Sequence, residues 1–157
     1  MATDLDRFFK KGSVVYCDLS TFVDHSGIYV GNNEFVELGS DGVVRKVGVK
    51  EFMTSLSDQE KGKFKLKGKI YVFCQHTSDG KWSSIEFPQA YDRARSQVGI
   101  TKKYGAIMDN CHMFTTGCVT GNFANTANTT DGIKKALQKH LGLDKESSDW
   151  ASVDVEA

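Results

Sequence analysis

The stretch Tyr104-Gly105-Ala106-Ile107-Met108-Asp109-Asn110-Cys111-His112-Met113-Phe114 sets a cysteine directly behind Asp-Asn and ahead of a run that can be helical. Asp and Asn favour a helix N-cap, so Cys111 falls in the first turn of a helix reaching to about Thr120, where Gly121 can stop it. A thiol placed there faces unpaired backbone N–H groups and the positive end of the helix macrodipole. Both favour thiolate over thiol, and the thiolate is the nucleophile. Thiol chemistry on a carbonyl also needs an imidazole to hold and return a proton, and usually a third group to orient that imidazole.

His25 opens the run His25-Ser26-Gly27-Ile28-Tyr29-Val30-Gly31, which reads as a strand, and Glu37 lies in a second, Glu34-Phe35-Val36-Glu37-Leu38. With Asn32-Asn33 as the turn, the two form a hairpin. Ile28 then falls opposite Glu37, or His25 does so after a longer turn or a bulge. Either way, the same face of adjacent strands can bring the carboxylate near the imidazole. A helix bearing Cys111 and packed across that face would complete a Cys111–His25–Glu37 triad.

Other candidates rank lower. His112 adjoins the nucleophile, but neighbours on a helix point about 100° apart, which makes it a supporting or exposed residue, with Asn110 and Tyr104 as further supporting positions. Cys74 and His76 form an i, i+2 pair on one strand face, a rival dyad with no third partner in view. Cys17, Cys74 and Cys118 read as small buried hydrophobes. Cys118 follows Cys111 by two helical turns and should be buried beneath it.

The elements that must position these residues alternate early and are helical late. Residues 3–11 allow one or two helical turns, and strands are predicted over Ser13–Asp18, His25–Gly31, Glu34–Leu38, Val43–Val47 and Lys69–Gln75. Val49–Leu56 is a short helix candidate, Ser57–Gly68 a lysine-rich connector, and Thr77–Ser84 a loop. A helix over about Glu86–Val98 aligns Ala90, Ala94 and Val98. After an Asn/Thr-rich loop, Thr130 caps a last helix with the stripe Ile133, Ala136, Leu137, His140 and Leu141, ended by Gly142. The fold class is α+β: one domain over 1–157, with a mostly antiparallel sheet packed against helices, a core over about 12–142 and a loose tail at 143–157.

Composition narrows the function. Lys+Arg and Asp+Glu number 20 each, so net charge gives no reason to expect nucleic acid or an anionic membrane surface as partner. The N-terminus lacks the basic and apolar regions of a signal peptide, and no apolar run approaches the ~20 residues of a membrane span. The expectation is a reduced, cytoplasmic chain. Neither Cys-x-x-Cys nor a His-rich cluster occurs, so no metal is expected, and the thiol chemistry calls for no cofactor.

Three stretches resemble the lecithin:retinol acyltransferase-like branch of the NlpC-type, circularly permuted papain-like cysteine hydrolases. Gly12-Ser13-Val14-Val15 followed by His25-Ser26-Gly27-Ile28-Tyr29-Val30-Gly31 is similar to the family's Gly-Asp-hydrophobic strand and its His-x-(small)-Ile-Tyr-Val-Gly strand. Arg93-Ala94-Arg95-Ser96-Gln97-Val98-Gly99 resembles its Arg-Ala-x-x-x-hydrophobic-Gly helix end. Tyr104 through Asn110-Cys111 keeps its Tyr-x5-Asn-Cys spacing, followed by Phe114. The resemblance spans roughly residues 12–120 in the family's order. It implies a permuted papain-like fold, Cys111 as nucleophile, His25 as base, and acyl transfer through a thioester. The acyltransferases usually carry a second histidine where this chain has Glu37; a related permuted bacterial group uses glutamate there. Their Asn-Cys-Glu-His-Phe motif becomes Asn110-Cys111-His112-Met113-Phe114, and no membrane-anchoring C-terminal helix follows. The implied substrate is a small-molecule or lipid acyl ester, handled by hydrolysis or by transfer. The wider superfamily suggests a peptide or peptidoglycan amide instead, and a non-catalytic binding module that keeps the fold is the third alternative.

Overall fold

A computed structural model describes residues 1–102 and 110–157. After a single 3-10 turn at Leu5–Arg7 come β1 (Val14–Ser20), β2 (Val23–Gly31), β3 (Glu34–Leu38) and β4 (Val44–Val47). Two short helices follow, α1 (Val49–Phe52) and α2 (Leu56–Glu60), then β5 (Lys67–His76) and β6 (Trp82–Ser84). The chain ends with α3 (Pro88–Ser96), α4 (Asn110–Thr120), α5 (Thr130–Leu141) and β7 (Ser148–Glu156). The fold is α+β, with all seven strands in one antiparallel sheet ordered β4-β3-β2-β1-β5-β6 and β7 also pairing β5.

Strand alternation gives the sheet two apolar faces. One face, with Val14, Ile28, Val36, Leu38 and Phe73, packs against Ala90 and Ala94 of α3, Phe114 and Cys118 of α4, and Ile133 and Leu137 of α5. The other, with Val15, Cys17, Tyr29, Phe35, Ile70 and Val72, is covered by the N-terminal turn (Leu5, Phe9) and by Phe52 and Met53 at the end of α1.

The expected loose tail is instead a strand. Residues 148–156 pair with Gln75 through Lys67 in nine consecutive registers. Ala151, Val153 and Val155 face the second apolar cluster, and the backbone N–H of Thr3 donates to the Glu156 carbonyl at 2.9 Å. The period-2 pattern Ala151-x-Val153-x-Val155 was present among charged neighbours. Its burial depends on β5 offering an open edge that no local pattern reveals.

Smaller departures have similar causes. Pro88 starts α3 at its first turn, where a missing N–H is harmless, and the helix ends at Ser96. The chain then turns away to pair Gly99 and Ile100 with Val44, leaving Val98 exposed. The cap of α5 is Thr129, whose hydroxyl accepts from the Gly132 N–H at 2.9 Å. His140 lies outside the apolar stripe, and the buried polar position on that helix is Gln138, donating to Ser148 Oγ at 3.1 Å. The lysine-rich connector holds the short helix α2, and the 77–84 loop holds β6.

Val155→Asp should destabilise the protein by about 3 kcal/mol, because it buries an unpaired carboxylate against the sheet. Urea unfolding measures this; a change within about 0.5 kcal/mol, as expected for a surface position, would mean that the last residues do not pack.

Candidate active site

The geometry of the site begins with a bulge. Ile28 pairs with Val36 and Tyr29 with Phe35, but the next pair is Gly31 with Glu34. One extra residue in β2 is absorbed there, ahead of a turn in which Asn32 and Asn33 take φ of 53° and 59°. Gly31, at φ +91°, supplies the backbone conformation such a bulge needs. A bulge-free hairpin closing on Asn32-Asn33 would set Ile28 opposite Glu37 and turn the carboxylate to the α4 face. The one-residue shift turns it to the other face. Continuing the register by one residue sets Glu37 across from Gly27 and diagonal to His25, within reach of long side chains. His25 Nε2 and Glu37 Oε1 lie 3.0 Å apart.

By the same alternation His25 and Glu37 belong with Tyr29 and Phe35, on the face covered by Phe52, not on the face against which α4 packs its core. This differs from the expectation of a helix lying over both. Phe52 stacks on Phe35 with ring centroids 4.3 Å apart, and its centroid lies 5.0 Å from that of His25. Gly27 makes room for it: a Cβ there would stand 3.0 Å from Phe52 Cε1 and 2.7 Å from the Val36 carbonyl oxygen. The pair is thus closed in by a ring, with His25 8 % and Glu37 3 % exposed.

Cys111 enters from the other side. It is the second residue of α4, and it lies 6 % exposed. The far end of α4 is held by Arg93, whose guanidinium donates to the carbonyls of Cys118 at 3.0 Å and Val119 at 2.9 Å, satisfying C-terminal acceptors. The first turn meets the turn end of the β1–β2 hairpin, where His25 pairs with Cys17, so that Asp24, His25 and Ser26 all interact with Cys111 or His112.

His25 and Cys111 are hydrogen-bonded side chain to side chain. With Nε2 committed to Glu37, Nδ1 is the ring nitrogen left for sulfur. Burial pushes the Cys111 thiol up, but hydrogen bonds from His112 and His25 and the charge on both rings outweigh it and bring it down to about 5. Burial likewise pushes His25 down, and the Glu37 charge with the hydrogen bonds to Cys111 and Glu37 lifts it to about 10. Between those values the stable form is thiolate beside imidazolium. Burial raises the other three thiols, Cys17, Cys74 and Cys118, so they stay protonated.

His112 is neither exposed nor remote. It is 3 % exposed, its Nδ1 lies 2.8 Å from Ser26 Oγ and 3.7 Å from Cys111 Sγ, and Ser26 donates on to Thr115 Oγ1 at 2.9 Å. Ser26, Thr115 and Phe52 did not stand out in the sequence; Ser26 beside His25 in the strand and Thr115 one turn beyond Cys111 were the only signals. Asn110 begins α4, and Tyr104 lies outside the described residues. Cys74 and His76 sit on β5 away from this cluster: Cys74 packs in the second apolar face, and His76 lies 4.4 Å from Trp82, ring to ring. Among the described residues no group of three or more His, Cys, Asp or Glu side chains could hold a metal ion.

The sequence pattern of the family described as lecithin retinol acyltransferase matches residues 8–124, most of the chain and all of this cluster. The chain belongs to the lecithin retinol acyltransferase family. No curated protein shows a significant match to it. Membership in the lecithin retinol acyltransferase family points to acyltransferase or hydrolase activity on a small-molecule or lipid acyl substrate. Among the described residues, no helix is long and apolar enough to cross a membrane.

The charge states define a pH window. Below about 5 the Cys111 thiolate takes up a proton, and above about 10 the His25 imidazolium loses one. Iodoacetamide should therefore alkylate Cys111 with a rate that rises through a midpoint near 5, where an ordinary cysteine rises near ~8.5. His25→Ala should move that midpoint upward, since it removes both a hydrogen bond and a positive charge from the thiolate. Rates followed against pH, with the labelled peptide identified by mass, measure both. A wild-type midpoint at the ordinary thiol value would show that the ion pair does not form.

Proposed function

We propose that this chain is a cysteine-dependent acyl hydrolase or acyltransferase that works through a thioester on Cys111, with lipid acyl esters as substrate. The observation that carries this reading is the unbroken hydrogen-bonded line Cys111–His25–Glu37, buried in a chain of this family and electrostatically poised as thiolate and imidazolium. An inert structural cysteine would share the raised pKa of Cys17 or Cys118. Retention of the fold alone accounts for pairing Glu37 with His25, but gives no reason to hold Cys111 as a thiolate beside that ring.

In the proposed reaction the Cys111 thiolate attacks the ester carbonyl carbon, and the carbonyl electrons move to oxygen. The Cys111 backbone N–H, in the first turn of α4, donates to that oxyanion together with the positive end of the helix. As the intermediate collapses, the His25 imidazolium gives its proton to the departing alkoxide, which leaves as an alcohol. Glu37 holds the ring and stabilises its charged form. Acylation removes the thiolate, and with it part of what raises the His25 pKa. The now neutral ring is then a better match for its second task, taking a proton from the incoming water or acceptor hydroxyl as that oxygen attacks the thioester. Glu37 in place of a second histidine gives the ring a charged partner, which strengthens the imidazolium in the first half-reaction.

Lipid acyl esters and cell-wall peptides, offered in parallel to the wild type and its variants, test this. Cys111→Ser should abolish turnover of the ester with the fold intact. Glu37→Gln should retain more activity than Cys111→Ser, with a loss of up to roughly 10⁴-fold, because an amide can still hold the ring but stabilises its charge less. Turnover of peptides but not of esters would move the chain to the amidase reading. No turnover of either class would favour a binding module.

A further inference from the structure

We propose that His112 is a second hydrogen-bond donor to the Cys111 thiolate, locked in one tautomer by Ser26 and Thr115 and independent of the His25–Glu37 pair. This rests on the reading of Cys111 as nucleophile. The hydroxyl of Ser26 has a single proton, and it is directed to Thr115 Oγ1 at 2.9 Å. The Ser26 oxygen must then accept from His112 Nδ1, 2.8 Å away, so that nitrogen carries a proton. Cys111 Sγ lies 3.7 Å from the same nitrogen, placing the N–H between the two acceptors. His112 is buried, so the arrangement cannot relax into water. A ring held with Nδ1–H donates to sulfur whether it is neutral or charged, whereas His25 loses its donated proton during the reaction.

The other titratable groups around the sulfur do not supply this effect. Asp24 and Asp18, paired across β1 and β2 and hydrogen-bonded to each other, oppose a thiolate when charged, as would Cys17 beside His25. Glu37 acts through His25. His25 and His112 both favour the anion, each by a hydrogen bond and by its charge. Consecutive residues of β2 serve them separately: His25 carries one imidazole to the sulfur, and Ser26 fixes the other.

The test is the pH dependence of Cys111 alkylation by iodoacetamide in the full chain, with three variants. His112→Leu should raise the midpoint by about one pH unit or more, the scale expected when an anion loses a hydrogen bond. His112→Asn, whose side-chain amide can offer an N–H near the Nδ1 position, should recover much of that shift. Ser26→Ala, which frees the ring, should give a smaller rise. In His25→Ala the thiol should remain more acidic than in the His25→Ala, His112→Leu double variant. An unchanged midpoint in His112→Leu, or an equal rise in His112→Asn and His112→Leu, would overturn the proposal and leave His112 a packing residue. If His112→Leu does not fold, the other two midpoints decide alone: a midpoint near the wild-type value in His112→Asn together with a raised one in Ser26→Ala supports the proposal, and no rise in Ser26→Ala overturns it. A wild-type midpoint at the ordinary thiol value would overturn this proposal together with the thioester reading, whereas a depressed wild-type midpoint unaffected by His112 sinks this one only.

Discussion

A carboxylate almost wholly out of water is the constraint around which this structure is arranged. Glu37 is buried in the apolar sheet face that carries Phe35 and is covered by Phe52, where an unpaired negative charge is untenable. Its partner is His25 at 3.0 Å, and breaking such a buried pair by removing one member typically costs about 3–5 kcal/mol. The pair exists only because β2 carries a bulge between Tyr29 and Gly31. A slip of one residue would turn Glu37 toward α4, into the cluster that holds Ile28 and Phe114, and turn Val36 out of it. The stability of the sheet and the chemistry of the site are therefore set by the same register.

Around that pair, the protein assembles opposing effects on one sulfur atom. Burial of Cys111 works against ionisation, and the helix start, His25 and His112 work for it. The second group wins because its members are close, hydrogen-bonded and shielded from solvent, where such interactions are strong. The same burial raises Cys118, seven residues on along α4 but surrounded by apolar side chains. Two cysteines on one helix thus take opposite roles, decided by their neighbours and by the place of Cys111 in the first turn. Arg93 at the C-terminal end of α4 completes the helix, tying the carbonyls of Cys118 and Val119 to α3.

The sequence revealed the helix start at Asn110-Cys111, the hairpin about Asn32-Asn33 and the α+β class, because each is written in local chemistry: cap residues, turn residues and alternation. The register of the hairpin was not legible. Gly31 is compatible with a bulge but does not require one, so the position of Glu37 relative to His25 stayed open between two alternatives. β7 was missed for a different reason: its Ala151-Val153-Val155 alternation has meaning only beside the open edge of β5, some eighty residues earlier in the chain. His112 was underrated because the 100° rule describes where side chains leave a helix, not where they end. At the first turn the Nδ1 of His112 comes back to 3.7 Å from its neighbour's sulfur, fixed by Ser26 of a strand 86 positions away in sequence.

The most direct test of the account is the covalent intermediate itself. The protein should be mixed with a lipid acyl ester, quenched in acid within the first turnovers and examined as intact protein and as peptides by mass spectrometry. The account predicts one acyl group per chain, located on Cys111, released by neutral hydroxylamine as a thioester is, and absent from the Cys111→Ser protein. Turnover of the ester with no acyl group on Cys111 at any time, or with the acyl group on another residue, would contradict it.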